Sequence, residues 1–234
     1  MGNTIFLRLE GALQSWGERG RWSIRDTAPQ PTKSGVIGLI ACAMGIGDDA
    51  PIKALSEAVA MGVRVDDAGV RMTDYHTIGG GAKTPMLLTA QGKPKKSGGK
   101  PHTELSYRDY LCDASFLVAL QGETAVIQKI AAALQNPIWT IFLGRKSCPP
   151  SRPVFDGVGE YADLQLALQK HKWPEKERLT AVIECKSTTP NAVRHRDHLV
   201  SRSHRVYHPR YTQTVSLQAQ VPRTLEVHGT SEAT

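Results

Sequence analysis

Apolar and polar positions alternate from the start of the chain. Thr4–Leu9 sets Ile5, Leu7 and Leu9 against Phe6 and Arg8, which predicts an opening β-strand. A polar stretch rich in glycine and arginine runs on through Pro31. Thr32 or Ser34 then caps a helix over roughly 35–44, and Pro51 starts a second at its favoured first position, continuing through 54–61. Val63–Val65 and Val70–Thr73 flank Asp67, Ala68 and Gly69, a pattern that predicts a hairpin. From Gly79 to Pro101 glycine, proline and lysine dominate. That stretch is too long for a routine connector, so it is either a mobile functional loop or a projecting hairpin.

Further on, Arg108–Cys112 and Ser115–Leu120 read as strands and Thr124–Leu134 as an amphipathic helix. Leu179–Cys185 and Thr212–Leu217 are later strands, and 227–234 is a polar tail. The first two-thirds follows β-α-β-β-α-β with an insertion, the ferredoxin-like order shared with RNA-recognition (RRM-like) domains. The expected class is α+β.

Composition adds bounds. Apolar residues make up 40% of 234, enough for a core in one large domain or one domain with an elaborate insertion. The longest apolar stretch, Val36–Ile46, is too short to span a bilayer, and no membrane partner is expected. No secretory leader pattern precedes the first strand. The four cysteines are scattered without a CxxC pair, as suits reduced thiols and a cytoplasmic location.

Charge changes the picture more. The net charge is +7, and it is concentrated. Lys93, Lys95, Lys96 and Lys100 lie together with no acid between them. Arg194, Arg196, Arg202, Arg205 and Arg210 stand against the single acid Asp197, and the rest of the chain is nearly neutral. Basic segments on a neutral body form a footprint for a polyanion. His195, His198, His204, His208, Tyr207 and Tyr211 are interleaved with the arginines and can stack on bases, which favours nucleic acid.

Enzyme signatures are weak. Gly45-Ile46-Gly47 lacks a third glycine and follows a helix, and Lys33-Ser34 lacks the glycines of a phosphate-binding loop. The histidine spacings near the C-terminus sit among arginines that repel a dication, so no metal and no cofactor is expected. Lys100, His102 and Tyr107 could serve a metal-independent ribonuclease, which stands as the alternative reading. Three segments suit RNA better. Lys33, Ser34 and Gly35 open a helix where an anion is welcome, though they also suit a plain cap. Arg145, Lys146 and Ser147 follow a strand and a permissive glycine, an arrangement that reaches phosphate and ribose or else makes a basic turn. Gln14, Ser15 and Trp16 end the first strand, with Trp16 either a base stacker or a packing residue.

In series, LEGALQSWG (9–17), PTKSGVIGLIACAMG (31–45), TDYHTIGG (73–80), HTELSYRDYLCDASF (102–116) and FLGRKSCPPSRP (142–153) resemble the CasD family. That family is the RAMP subunit of the type I-E CRISPR surveillance complex, Cascade. Ala12 replaces its usual proline, and 193–210 resembles a looser arginine-rich segment. The resemblance implies a RAMP-type ferredoxin-like fold over 1–150, with a β-hairpin thumb inserted at about 79–108. A small C-terminal β extension would cover 151–226. It implies a non-catalytic subunit that caps the 5′ handle of the guide RNA (crRNA). Its partners would be the backbone subunit CasC, the large subunit CasA, and target DNA near the PAM-proximal end. Gln14, Ser15, Trp16, Lys33, Ser34, Gly35, Arg145, Lys146 and Ser147 are then assigned to the handle, with His76 and Arg108 on the same surface. The lysines 93–100 go to the thumb, and the arginines 194–210 to an RNA or subunit surface. A related type I-C branch cuts its own precursor RNA, which is why the ribonuclease alternative is kept.

Overall fold

A computed structural model describes residues 2–17, 20, 23–80, 86–201, 204 and 206–219. In chain order the elements are β1 (Thr4–Glu10), β2 (Leu13–Gln14), β3 (Ile24–Arg25), α1 (Lys33–Met44), α2 (Asp49–Glu57), β4 (Val59–Asp67) and β5 (Val70–Gly79). They continue with β6 (Lys96–Ser97), β7 (Lys100–Pro101), β8 (Thr103–Cys112), β9 (Ser115–Gly122) and α3 (Thr124–Gln135). The last are β10 (Phe155–Gly159), α4 (Leu164–Lys170), β11 (Arg178–Cys185), β12 (Val193–Ser201) and β13 (Val206–Gln218).

A seven-stranded sheet in the order β10-β1-β9-β4-β11-β13-β12 organises the molecule, and all its pairings are antiparallel. Its central strands are covered on both faces, which is why Phe116–Leu120 reads as an unbroken apolar run. On one face Ile5, Leu7 and Leu9 of β1 pack with α1 and α3 in the main core. On the other, Phe6, Leu117 and Ala119 meet Leu164, Ala167 and Leu168 of α4. Gly62 admits α4 closely, since a Cβ there would lie 2.9 Å from Leu168 Cδ1.

Helix α1 starts at Thr32, whose hydroxyl accepts from the Gly35 N–H, and ends at Gly45 in the left-handed region (φ +67°). Ile37 and Ile40 are fully buried, each contributing about 1.5–3 kcal/mol. Among the described residues no single helix is long and apolar enough to cross a membrane. Under α4, Arg64 forms a two-point pair with Asp66 and donates to the carbonyls of Leu168 (2.5 Å), His171 (2.9 Å) and Lys172 (2.9 Å). It thereby closes the C-terminal end of that helix.

Several expectations need correction. The second helix ends at Glu57. Val59–Met61 belongs instead to β4, because pairing with Leu120, Gln121 and Gly122 of β9 outweighs local preference. The turn at 67–69 is not a hairpin. β4 pairs with β9 and β11, whereas β5 pairs with β8, so the chain bends out of one sheet into another. The partner strand bends alongside at Asp113 (φ 56°), opposite Gly69 (φ +65°). Beyond this corner β5 and β8 form a ribbon, with β2 and β3 on its other edge and the short β6–β7 pair towards its far end. Among the described residues no strand leads directly into Gly144. Residues 136–143 run irregularly, tied by Leu143 N–H to Cys148 O (2.7 Å) and by Ser15 N–H to Leu143 O (3.1 Å). Elements not anticipated are the short β2 and β3, together with β10, α4 and β12.

Candidate nucleic-acid interface

A cleft of about 690 Å³ runs along the outer side of α1. Ser34, Gly38 and Cys42, four residues apart, form its floor, and Leu39 and Ile46 line it beside them. Trp139 stands at one end, its backbone N–H held by Cys42 O at 3.1 Å, and Tyr207 from β13 closes a side. Arg25 and Arg145 lie at the other end with Gly17, Gly20 and Gly144. Aromatic walls, a glycine floor and guanidiniums together suit a planar, anionic ligand.

The three segments assigned to the handle all converge on this cleft, but with different roles. Gln14, Ser15 and Trp16 are buried, so base stacking on Trp16 is corrected to packing. Gln14 donates to Leu9 O (3.1 Å) and Ala114 O (2.7 Å), and its Oε1 accepts from Trp16 Nε1 (3.1 Å). Ser15 Oγ donates to Asp109 O (3.0 Å). The Trp16 ring lies against α1. A Cβ on Gly35 would sit 2.8 Å from its Cε3, which explains the glycine there. Gly144 (φ +87°) abuts Ser15 O, again where no side chain fits.

Lys33 is also corrected. Its ammonium is 2% exposed and donates to Val59 O (2.8 Å) and to both Glu184 oxygens (3.1 and 3.0 Å), leaving it no route to a phosphate. Burial pushes this amine below its ordinary range, against the pull of Glu184. The anion position at the α1 N-terminus is filled from within, because the Asp197 carboxylate accepts the Lys33 backbone N–H at 2.8 Å. Arg210 clamps the same carboxylate at 2.8 and 2.6 Å and is buried, so it leaves the group of surface arginines.

Arg145 is half-buried. It donates to the carbonyls of Asp109 (3.1 Å), Arg25 (2.8 Å) and Asp26 (3.4 Å), and its guanidinium lies 4.7 Å from the Tyr110 ring centroid. It therefore ties the ribbon base to the loop after Trp16. Lys146 and Ser147 are exposed beside it, and Ser34 is half-buried on the floor.

His76 and Arg108 lie away from the cleft's lining. They sit on β5 and β8, where His76 pairs with Asp74 and Arg108 Nε donates to Ser106 Oγ (3.3 Å). Lys93, Lys96 and Lys100 are exposed along the ribbon's far part, and Lys95 pairs with Glu104 at 2.9 Å. Arg194 and Arg196 are exposed on β12, whereas Arg202 and Arg205 lie outside the described residues, as do 81–85 of the insertion and the tail.

The ribonuclease set is not assembled. His102 is bonded to Glu104 (3.2 Å), and Glu104 and Tyr107 face opposite sides of β8 by strand alternation. Tyr107 instead meets Tyr75 edge-on at 5.6 Å. Among the described residues no group of three or more His, Cys, Asp or Glu could hold a metal. Sequence reasoning missed Arg25, Gly38 and Trp139 as lining residues, whereas it singled out Tyr207 as a possible base stacker. Of the three missed, Gly38 carried a local signal, a glycine inside an otherwise apolar helix.

Comparisons with known proteins agree on one family. The family described as CRISPR-associated protein (Cas_Cas5) matches residues 4–215. The chain is 37% identical over 186 residues to the CRISPR system Cascade subunit CasD of Escherichia coli (strain K12), covering 74% of this chain and 78% of that one. A solved structure titled "CRISPR RNA-guided surveillance complex" contains a similar chain with a TM-score of 0.76 and 32% identity, over 92% of this chain and 90% of that one. Another, "Crystal structure of Cas protein", aligns with a TM-score of 0.65 and 32% identity, over 92% and 95%. With cleft-lining and cleft-supporting segments all inside the matched region, this chain belongs to the CRISPR-associated protein (Cas_Cas5) family.

Proposed function

We propose that this chain is a non-catalytic RNA-binding subunit of a CRISPR RNA-guided surveillance complex of the type I-E Cascade kind. It holds the 5′ handle of the guide RNA in the α1 cleft and bridges a CasC-type backbone subunit to a CasA-type large subunit. The observation that carries this reading is the convergence of 9–17, 31–45 and 142–153 on one cleft. Their buried members shape it, while Arg25, Lys146 and Ser147 stay exposed at or beside it. The relative from E. coli is a Cascade subunit, which supports the same assembly here. Strand order β10-β1-β9-β4, with α1 and α3 packed on one face, supports a ferredoxin-like RAMP unit. The β5–β8 ribbon supports a thumb. Backbone and shape are what the protein subunits of RNA-guided machines hold, while base pairing reads the target.

The test is co-expression with the sibling subunits and a defined guide, followed by measurement of guide content in the purified complex. Arg25→Glu with Lys146→Glu lowers guide content without lowering the chain's melting temperature, since both side chains are exposed. Unchanged guide content removes the handle assignment. Cleavage of labelled repeat RNA by the chain without divalent metal would overturn the non-catalytic part.

A further inference from the structure

The ribbon beyond the corner has no apolar anchor of its own. Among the described residues none from 70 to 108 belongs to either core cluster, and Ile24 of β3 is 58% exposed. A two-stranded ribbon by itself is marginal in water, so polar links at its base have to fix its direction. They gather on one buried residue of β8, Asp109. Its carboxylate accepts from Arg71 Nη2 and from Thr73 Oγ1 (2.7 Å) across the ribbon. Its carbonyl accepts from Ser15 Oγ (3.0 Å) and from Arg145 Nη1 (3.1 Å) on the side of the body. Arg145 Nη2 donates in turn to the carbonyls of Arg25 (2.8 Å) and Asp26 (3.4 Å) at the end of β3, and the guanidinium packs on the Tyr110 ring of β8. The loop that carries it is itself seated, since Arg145 O accepts the Cys148 N–H (2.9 Å) and Leu143 O accepts the Ser15 N–H (3.1 Å). One flat guanidinium therefore holds three carbonyls, from β8 and from the end of β3, while its own backbone stays fixed.

Resting on the RNA-binding reading above, we infer that Arg145 is a positioning residue for the basic ribbon. It acts through the direction of β8 and needs no contact with RNA to do so. From Asp109 to Thr103 the strand extends about 20 Å, at roughly 3.4 Å per residue. A tilt of about 15° at the base carries the far end, with Lys93, Lys96 and Lys100, roughly 5 Å sideways. That is further than a hydrogen bond to phosphate reaches. Charge alone does not hold the ribbon. A lysine at 145 keeps the positive charge, but it presents a point-like ammonium in place of the planar fork and cannot lie flat on Tyr110.

The experiment uses the full chain and a labelled single-stranded oligoribonucleotide of the repeat-derived 5′ handle, with binding read by fluorescence anisotropy across a salt series. Wild type, Arg145→Lys and Arg145→Met are each measured with the ribbon lysines intact and with Lys93, Lys96 and Lys100 changed to serine. In wild type the serine changes flatten the slope of log affinity against log salt. In Arg145→Lys and Arg145→Met the slope is already flattened with the lysines intact, and the serine changes add nothing further. A direct phosphate contact at 145 gives the other pattern. Arg145→Lys then keeps the wild-type slope and the serine changes act equally in every background, which overturns the positioning role. Hydrogen exchange gives a reading that needs no RNA. Amides of β3 and β8 exchange about tenfold faster in both Arg145 variants, the effect of losing one hydrogen bond's worth of local stability. Those of β9 and β11 stay unchanged, so a change in binding is not a folding loss. Unaltered exchange at β3 and β8 overturns the proposal. Failure of the wild-type chain to bind the RNA overturns the RNA reading, and the exchange measurement then decides the positioning role by itself.

Discussion

At the Gly35 position the helix gives way to a ring, with Trp16 Cε3 lying 2.8 Å from where a Cβ would be. Gly35→Ala forces one of them to shift and costs about 1–3 kcal/mol by overpacking, measurable by urea unfolding. Gly38→Ala on the same helix has the opposite sign, because a Cβ there meets nothing within 4 Å and alanine favours the helix, so the pair of variants separates the two kinds of glycine. Around Lys33 the stakes are higher. Lys33→Ala leaves Glu184 without its cation and is expected to cost about 3–5 kcal/mol, whereas Lys33→Met with Glu184→Gln recovers much of that loss. Burial raises the Asp197 carboxyl, but Arg210 and the Lys33 N–H more than offset it and hold the group below the ordinary carboxylate range. Its contribution is therefore complete above its unfolded value, about 3.9, and is lost as pH falls through the lower folded value. Urea midpoints measured from pH 5 downwards should fall, with a shallower slope in Asp197→Asn. These residue roles were half legible. The motif residues were found, but their burial was not, because a lysine before a helix looks the same whether it faces phosphate or a distant glutamate.

Among the elements, the bent ladder formed by β4–β5 and β8–β9 decides where the basic ribbon points. Gly69 permits the bend, since a Cβ would lie 2.3 Å from Cys112 O at a positive φ. Gly69→Val is therefore expected to unsettle the corner by more than the about 1 kcal/mol of an ordinary glycine replacement. By contrast, replacing 80–101 with a short turn leaves the sheet's melting temperature unchanged, because none of the segment's described residues belongs to either core cluster. The strands β1, β8, β9, β11 and much of β13 were legible from their apolar runs and alternation, α1 from its cap and α3 from its amphipathic spacing. β12 was hidden because its buried face carries Asp197 beside Leu199, and its other face carries Arg194 and Arg196, leaving no apolar alternation. β10 was hidden by two glycines and an aspartate in five residues. The hairpin at 67–69 was misread because turn chemistry reports the bend and not the partner.

For the whole molecule, the two basic segments separate into unlike roles. Lys93, Lys96 and Lys100 are exposed and free to meet backbone phosphates. Changing all three to serine should reduce the slope of log affinity against log salt by roughly 0.7 for each phosphate that a lysine had neutralised. The slope is read from binding of single-stranded RNA across a salt series, and an unchanged slope would place those lysines off the RNA. In the second segment Arg210 is a structural pillar, so Arg210→Ala acts on folding first and on RNA only through it.

The link between Lys33 and Asp197 also has a bearing on synthesis. The N–H that opens α1 is received by a carboxylate 164 residues further along the chain. At roughly 5–20 residues per second, translation takes roughly 8–30 s to bring that carboxylate into existence after the helix has emerged. Through that interval the nascent helix start is an open electropositive end, attractive to whatever polyphosphate lies near the ribosome. Completion of β12 and β13 shuts it. In the finished chain that end is closed by the protein's own carboxylate, so an anion held there during synthesis has to give way to Asp197.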